Sequence, residues 1–175
     1  GANLLNGING EVVLNANAGV LELDNVDVEE LTIDGAASII LSGDISVEAS
    51  LTFPAAITLN ENVKITTTDE DVDFDAAVTV NGAGLEIQAG LGDVTFGVAA
   101  TVGGAVPLDF LTISAGDIEH GGAITTADDG HIHLRALDEY TMDGAITAGE
   151  NGNITIISEG PLEDLLIDNQ ITSDA

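Results

Sequence analysis

The chain has 175 residues, 31 of them Asp or Glu and only two basic, Lys64 and Arg135, for a formal charge of −29. Two cations cannot build the basic footprint that nucleic acid requires, and an anionic membrane surface would repel the chain. A hydrophobic content of 45 % sets it apart from disordered acidic tails and allows one domain of this length a sizeable core.

Cys is absent, which removes disulfides and thiolate metal sites. No apolar run approaches ~18 residues, so no transmembrane helix is expected. The chain opens on Gly1 without a recognisable signal peptide and reads as a processed product or an excised segment. Ala, Val, Ile, Leu and Thr dominate, with 21 Gly and few aromatics, a composition of strands and turns.

In chain order, residues 1–30 read as a degenerate first coil that begins near Leu14 and has Leu21-Glu22-Leu23 as its third strand. From residue 31 the pattern is regular. Apolar–polar–apolar triplets end at Ile33, Phe53, Phe74, Phe96, His120, Met142 and Ile167, spaced by 20, 21, 22, 24, 22 and 25 positions. Five residues after each triplet stand Ser38, Thr58, Thr79, Thr101, Thr125, Thr147 and Thr172, with Ala56, Ala77, Ala99, Ala123 and Ala145 two residues before the corresponding Thr. A third apolar strand closes each unit at Leu41, Ile65, Ile87, Ile113, Leu134 and Ile156. Turns of Gly, Asp and Asn separate the strands, and no segment holds a helical period.

Strands this short cannot form hairpins with cores of their own; stacked as coils, each pairs with its equivalents above and below. The expected fold is therefore all-β, one parallel β-helix (β-solenoid) over residues 1–175. It has about 22 residues and three short strands per coil and seven to eight coils, and is taken as right-handed from the general preference of parallel crossovers. Two inward columns are predicted, Leu31–Leu51–Val72–Val94–Ile118–Tyr140–Leu165 and Ile33–Phe53–Phe74–Phe96–His120–Met142–Ile167.

The units Gly122-Ala-Ile-Thr-Thr-Ala-Asp-Asp-Gly130-His-Ile-His-Leu134 and Gly144-Ala-Ile-Thr-Ala-Gly-Glu-Asn-Gly152-Asn-Ile-Thr-Ile156 resemble repeats of filamentous-haemagglutinin-like bacterial surface adhesins. The likeness spans roughly residues 30–175 and is one of pattern. It implies a right-handed β-helical shaft, an extracellular or cell-surface location and an adhesive or scaffolding role, with surface glycans or receptors as further partners. It transfers no functional residue.

Several groups of side chains invite chemistry. Asp128, Asp129, His131 and Arg135 resemble the clustered carboxylates and basic residues of polygalacturonase-type β-helix enzymes. The other motifs of those enzymes are absent and Arg135 alone cannot bind an acidic sugar, so Asp128-Asp129-Gly130 reads first as the turn aligned with Glu150-Asn151-Gly152. His131 and His133 should face outward together, where a metal could bridge them, and His120 falls in an inward column. The run Asp69-Glu70-Asp71 with Asp73 is the candidate for Ca²⁺, the one cofactor the sequence brings forward. Thr58, Thr79, Thr101, Thr125, Thr147 and Thr172 form a flat face suited to lateral packing or, less fittingly, to ice.

Neither end shows a capping helix, so end-to-end self-association is expected. The reading is a non-enzymatic structural or adhesive extracellular protein, a shaft or filament subunit. The alternatives are a carbohydrate-active enzyme and a Thr-face or cation-binding surface protein.

Overall fold

The computed structural model describes the backbone of residues 5–160, 165–167 and 171–173, and the side chains of residues 10–160. The chain begins with β1 (Leu5–Asn15), β2 (Val20–Leu23), β3 (Val26–Asp34), β4 (Ser38–Leu41) and β5 (Ile45–Val47). It continues through β6 (Leu51–Phe53), β7 (Ile57–Leu59), β8 (Val63–Thr66), β9 (Val72–Phe74), β10 (Val78–Val80), β11 (Leu85–Gln88) and β12 (Val94–Phe96). The last coils hold β13 (Leu108–Ala115), β14 (Ile118–His120), β15 (Ile124–Ala136), β16 (Tyr140–Met142), β17 (Ile146–Ala148), β18 (Asn153–Ser158), β19 (Leu165–Ile167) and β20 (Ile171–Ser173). All pairing is parallel, and the chain winds as a β-solenoid of about seven turns, as the repeat requires.

Each turn visits three faces in the same order. Face 1 is the ladder β6-β9-β12-β14-β16-β19. Face 2 holds β2-β4-β7-β10, extended by the bridging residue Val102 to the start of β15 and then to β17 and β20. Face 3 runs from the start of β3 through β5, β8, β11 and β13 to the end of β15 and β18. β15 rounds a corner without interruption, with Ile124 and Thr125 on face 2 and His131 to Ala136 on face 3.

Period-2 alternation decides what each strand buries. β6, β9, β12, β14 and β16 turn their first and third residues inward and leave the middle one at the surface. From β6 to β16 the two predicted face-1 columns form as read, with Leu51, Val72, Val94, Ile118 and Tyr140 in register beside Phe53, Phe74, Phe96, His120 and Met142; no ladder joins Leu31 and Ile33 to them, and the side chains of Leu165 and Ile167 lie outside the described residues. Phe53 and Phe74 lie 5.1 Å apart at 15°, and Phe74 and Phe96 4.6 Å apart at 9°. Each such stack adds about 1 kcal/mol to the area it buries.

Four registers differ from the simple count. Leu41 pairs with Leu59 on face 2, so Ile45, the partner of Ile65, is the face-3 residue of that coil. Leu21-Glu22-Leu23 likewise pairs with β4 on face 2 and is not the third strand of the first coil. Ser38 pairs with Val20, and Ile40 holds the position aligned with Thr58. Thr101 also leaves its column. Val102 bridges Val78 and Ile124, which places Gly103 in line with Thr79 and Thr125, while the carbonyl of Thr101 takes the bond from Val78 that Ala77 takes from Ile57. The corner after β12 is two residues longer than its neighbours, and counting on from Phe96 misses it.

One core group breaks the apolar rule without compensation. Thr126, 1 % exposed, faces inward between Leu108 and the position of Ala148, and its hydroxyl has no partner. An unpaired buried hydroxyl costs about 1–2 kcal/mol. Thr126→Val keeps shape and β-branching while removing that group. It should raise the urea midpoint, equivalent to about 1 kcal/mol, with an unchanged m-value.

Candidate functional site

Face 2 carries the Thr column. Thr58 and Thr79 hydroxyls are 3.1 Å apart, and Thr79 donates to the Ile57 carbonyl at 2.9 Å. Thr125 and Thr147 are in register further along. Thr172 continues the backbone ladder from Thr147, and its side chain lies outside the described residues. Gly103 divides the two groups: a Cβ there would fall 2.1 Å from the Thr125 carbonyl oxygen, so no threonine fits. The structure therefore holds two short hydroxyl runs in place of one continuous face.

The acidic run sits at the corner between faces 3 and 1, and its members point to separate partners. Asp69 Oδ1 accepts the Leu91 amide at 3.0 Å, Asp71 Oδ1 accepts the Asp93 amide at 2.9 Å, and Glu70 Oε2 accepts the Ser50 hydroxyl at 2.9 Å. Asp73 stands on β9 and takes a bond from Thr95. Among the described residues no three His, Asp or Glu side chains come together as a metal-binding group.

These bonds belong to a wider pattern. Asp93 accepts the Asp117 amide, Asp117 the Glu139 amide and Asp128 the Glu150 amide, at 3.0, 2.8 and 3.1 Å. Asp44 and Asn62 do the same for Lys64 and Gly84 at 2.9 and 2.8 Å. A corner Asp or Asn thus accepts an amide of the next coil where the turning backbone does not offer a carbonyl. The composition of the turns foretold Asp and Asn; this intercoil role was not visible in it. Asp71, Asp93 and Asp117 form a stack of like charges as a result. Burial, then repulsion, raises the Asp93 carboxyl above its ordinary value of 3.8 despite the amide bond; Asp73 is raised for the same reasons.

The remaining candidates disperse in the same way. Asp128 is an intercoil acceptor, and Asp129 is a turn residue at φ 60° that matches Asn151 at φ 60° in the next coil. Their neighbour His131 lies across its ring from Phe110, with centroids 5.5 Å apart and 9° between planes. Phe110 in turn covers Gly84, where a Cβ would fall 2.1 Å from the ring. His133 is half-buried, in register with Thr112 and Thr155. Arg135 and Lys64 each pair with an acid of the following coil, Glu159 at 2.7 Å and Glu86 at 2.9 Å.

His120 is completely buried between Phe96 and Met142. Its Nδ1 lies 3.1 Å from the Gly122 carbonyl and its Nε2 2.8 Å from the Tyr140 hydroxyl. A carbonyl only accepts, so Nδ1 carries the proton, and Nε2 accepts from the tyrosine. Burial lowers the affinity of the imidazole for a second proton and raises the tyrosine well above its usual range.

Comparison with family models, with curated proteins and with solved structures returns no match to this chain.

Two outcomes test this chemistry. Unfolded His120 titrates near 6.5 and the folded residue lower, so the unfolded chain holds more protons between those values. The stability from neutral His120 is complete above pH 6.5 and declines as pH falls through that window. Asp73 and Asp93 act with the opposite sign at lower pH: their folded values lie above 3.8, so stability rises again as pH drops toward it. Denaturant midpoints measured against pH should show the first decline in the wild type and lose it in His120→Phe/Tyr140→Phe. Separately, Asp93→Asn retains the amide acceptor without the charge and should raise the midpoint at neutral pH, whereas Asp93→Ala should lose about 1 kcal/mol.

Proposed function

We propose that this chain is a structural or adhesive element of a rod, a shaft segment or filament subunit working outside the cell, with a right-handed coil like that of the adhesin repeats it resembles. The observation that carries the reading is the investment of nearly the whole chain in one repeated device. On all three faces, inward residues stack on their equivalents, and corner carboxylates serve the amides of the next coil. Of the side chains that prompted an enzymatic reading, Asp128 is an intercoil acceptor, Asp129 a turn former, His131 stacks on Phe110 and Arg135 pairs with Glu159 of the next coil.

The charge supports the extracellular part of this proposal. Acids stacked at the pitch of a parallel ladder, ~4.8 Å, repel one another along the rod, and dissolved cations screen them. Cations, Ca²⁺ included, then act as counterions of the whole surface. Self-association end to end extends the ladder from one copy to the next, in the same direction and without closure.

Thermal unfolding should shift upward with NaCl and, at equal ionic strength, further with CaCl₂. Electron microscopy of native material should show rods or fibres whose length grows under the same conditions. Stability insensitive to both salts, together with isolated particles one chain long, would refute the proposal.

A further inference from the structure

On face 1, the four boundaries from β6 to β16 are closed in the same manner. The residue following the strand donates its amide to the carbonyl that ends the strand below: Asp75 to Phe53, Gly97 to Phe74, Gly121 to Phe96 and Asp143 to His120, at 3.1, 3.0, 2.8 and 3.0 Å. One boundary lower, the equivalent residue is Pro54, which has no amide proton. Leu31–Ile33 of β3 and Leu51–Phe53 of β6 lie side by side there, yet no ladder joins them, and the six-stranded sheet begins at β6.

A second difference coincides with the first. β3 rounds the corner from face 3 to face 1 as one strand, Val26 to Asp34, with two residues between Val28 and Leu31, whereas in the next coil β5 and β6 are separate strands, with three residues between the equivalent Val47 and Leu51. Bonds on either side of the seam lead away from it: Thr32 toward Glu11 in the coil below, Ser50 toward Glu70 in the coil above. A shallow depression of about 180 Å³ marks the seam, lined by Leu31, Thr32, Ile33, Ser50, Thr52 and Pro54. Faces 2 and 3 cross the same level unbroken, through β4 to β7 and through β3 to β5 to β8.

We infer that this seam is a joint: the rod opens and closes along face 1 between its second and third coils, while the continuous ladders of faces 2 and 3 serve as the hinge. Apolar contact among Leu31, Ile33, Leu51 and Phe53, all buried, holds the closed state without backbone bonds. Bending away from face 1 therefore costs hydrophobic contact alone at this level, and ladder bonds as well at each level from β6 upward. The inference is independent of the shaft reading; within that reading it makes the rod directional in its flexibility.

Amide hydrogen exchange on the intact chain tests it. In a parallel ladder the amides that would bridge the seam are those of Leu31, Ile33 and Thr52, and their counterparts one boundary higher are Leu51, Phe53 and Asp73. The seam amides should exchange about tenfold or more faster than those counterparts, the equivalent of roughly one net hydrogen bond or more. Pro54→Asp restores the donor with the residue that stands at this position in Asp75 and Asp143, and should narrow that ratio. Asp75→Pro should transfer rapid exchange to Phe53 and Asp73. Equal exchange at both boundaries in the wild type would overturn the joint, as would a seam ratio unchanged by Pro54→Asp together with no acceleration by Asp75→Pro.

Discussion

Everything in this molecule depends on the hydrogen bond from one coil to the next. A solenoid of short strands has no ladder within a coil, so apart from a few local turn bonds its backbone amides find their acceptors one turn away. Strands satisfy this through carbonyls in register. Corners cannot always do so, because the chain is changing direction and its carbonyls turn with it. Asp and Asn side chains take over there, from Asp44 and Asn62 to Asp128.

That requirement gives the charge a structural origin. Asp71, Asp93 and Asp117 recur because each coil meets the same corner, and a short carboxylate reaches the amide above it. Repetition then places like charge over like charge, with a repulsion that solvent and counterions reduce. The core follows the same logic to the opposite effect. Stacking Phe on Phe, or Ile on Ile, lets identical shapes nest, and even a polar pair fits when it satisfies itself, as His120 and Tyr140 do.

The sequence was most informative where corner length is nearly constant. The columns of face 1 could be read by counting from one triplet to the next, because alternation and a spacing of 20 to 25 residues survive in every coil. Reading failed at Ser38, Leu41 and Thr101, all placed by counting across corners whose length had changed. Neither Gly103 nor Val102 carries a local mark of its register; only the partners Val78 and Ile124 reveal it. The candidate sites were less legible. Residue type suggested cation ligands at Asp69 and Asp71 and a catalytic carboxylate at Asp128, but which amide each carboxylate meets depends on the coil above. Pro54 looks like any turn proline until the amide bonds of Asp75, Gly97, Gly121 and Asp143 show what its position otherwise supplies.

The spacing of the ladder has a kinetic meaning as well. Partners such as Phe74 and Phe96, or Ile132 and Ile154, are separated by a single coil, and rods of any number of coils keep that separation. Each new coil closes a loop of about the same size onto a template that already exists, so the entropy of closure does not grow with chain length. Topologies with distant pairings fold slowly as they enlarge; this one lengthens by zippering, one turn at a time. The first two coils to meet form the costly nucleus, and each later coil adds to an edge already shaped to receive it.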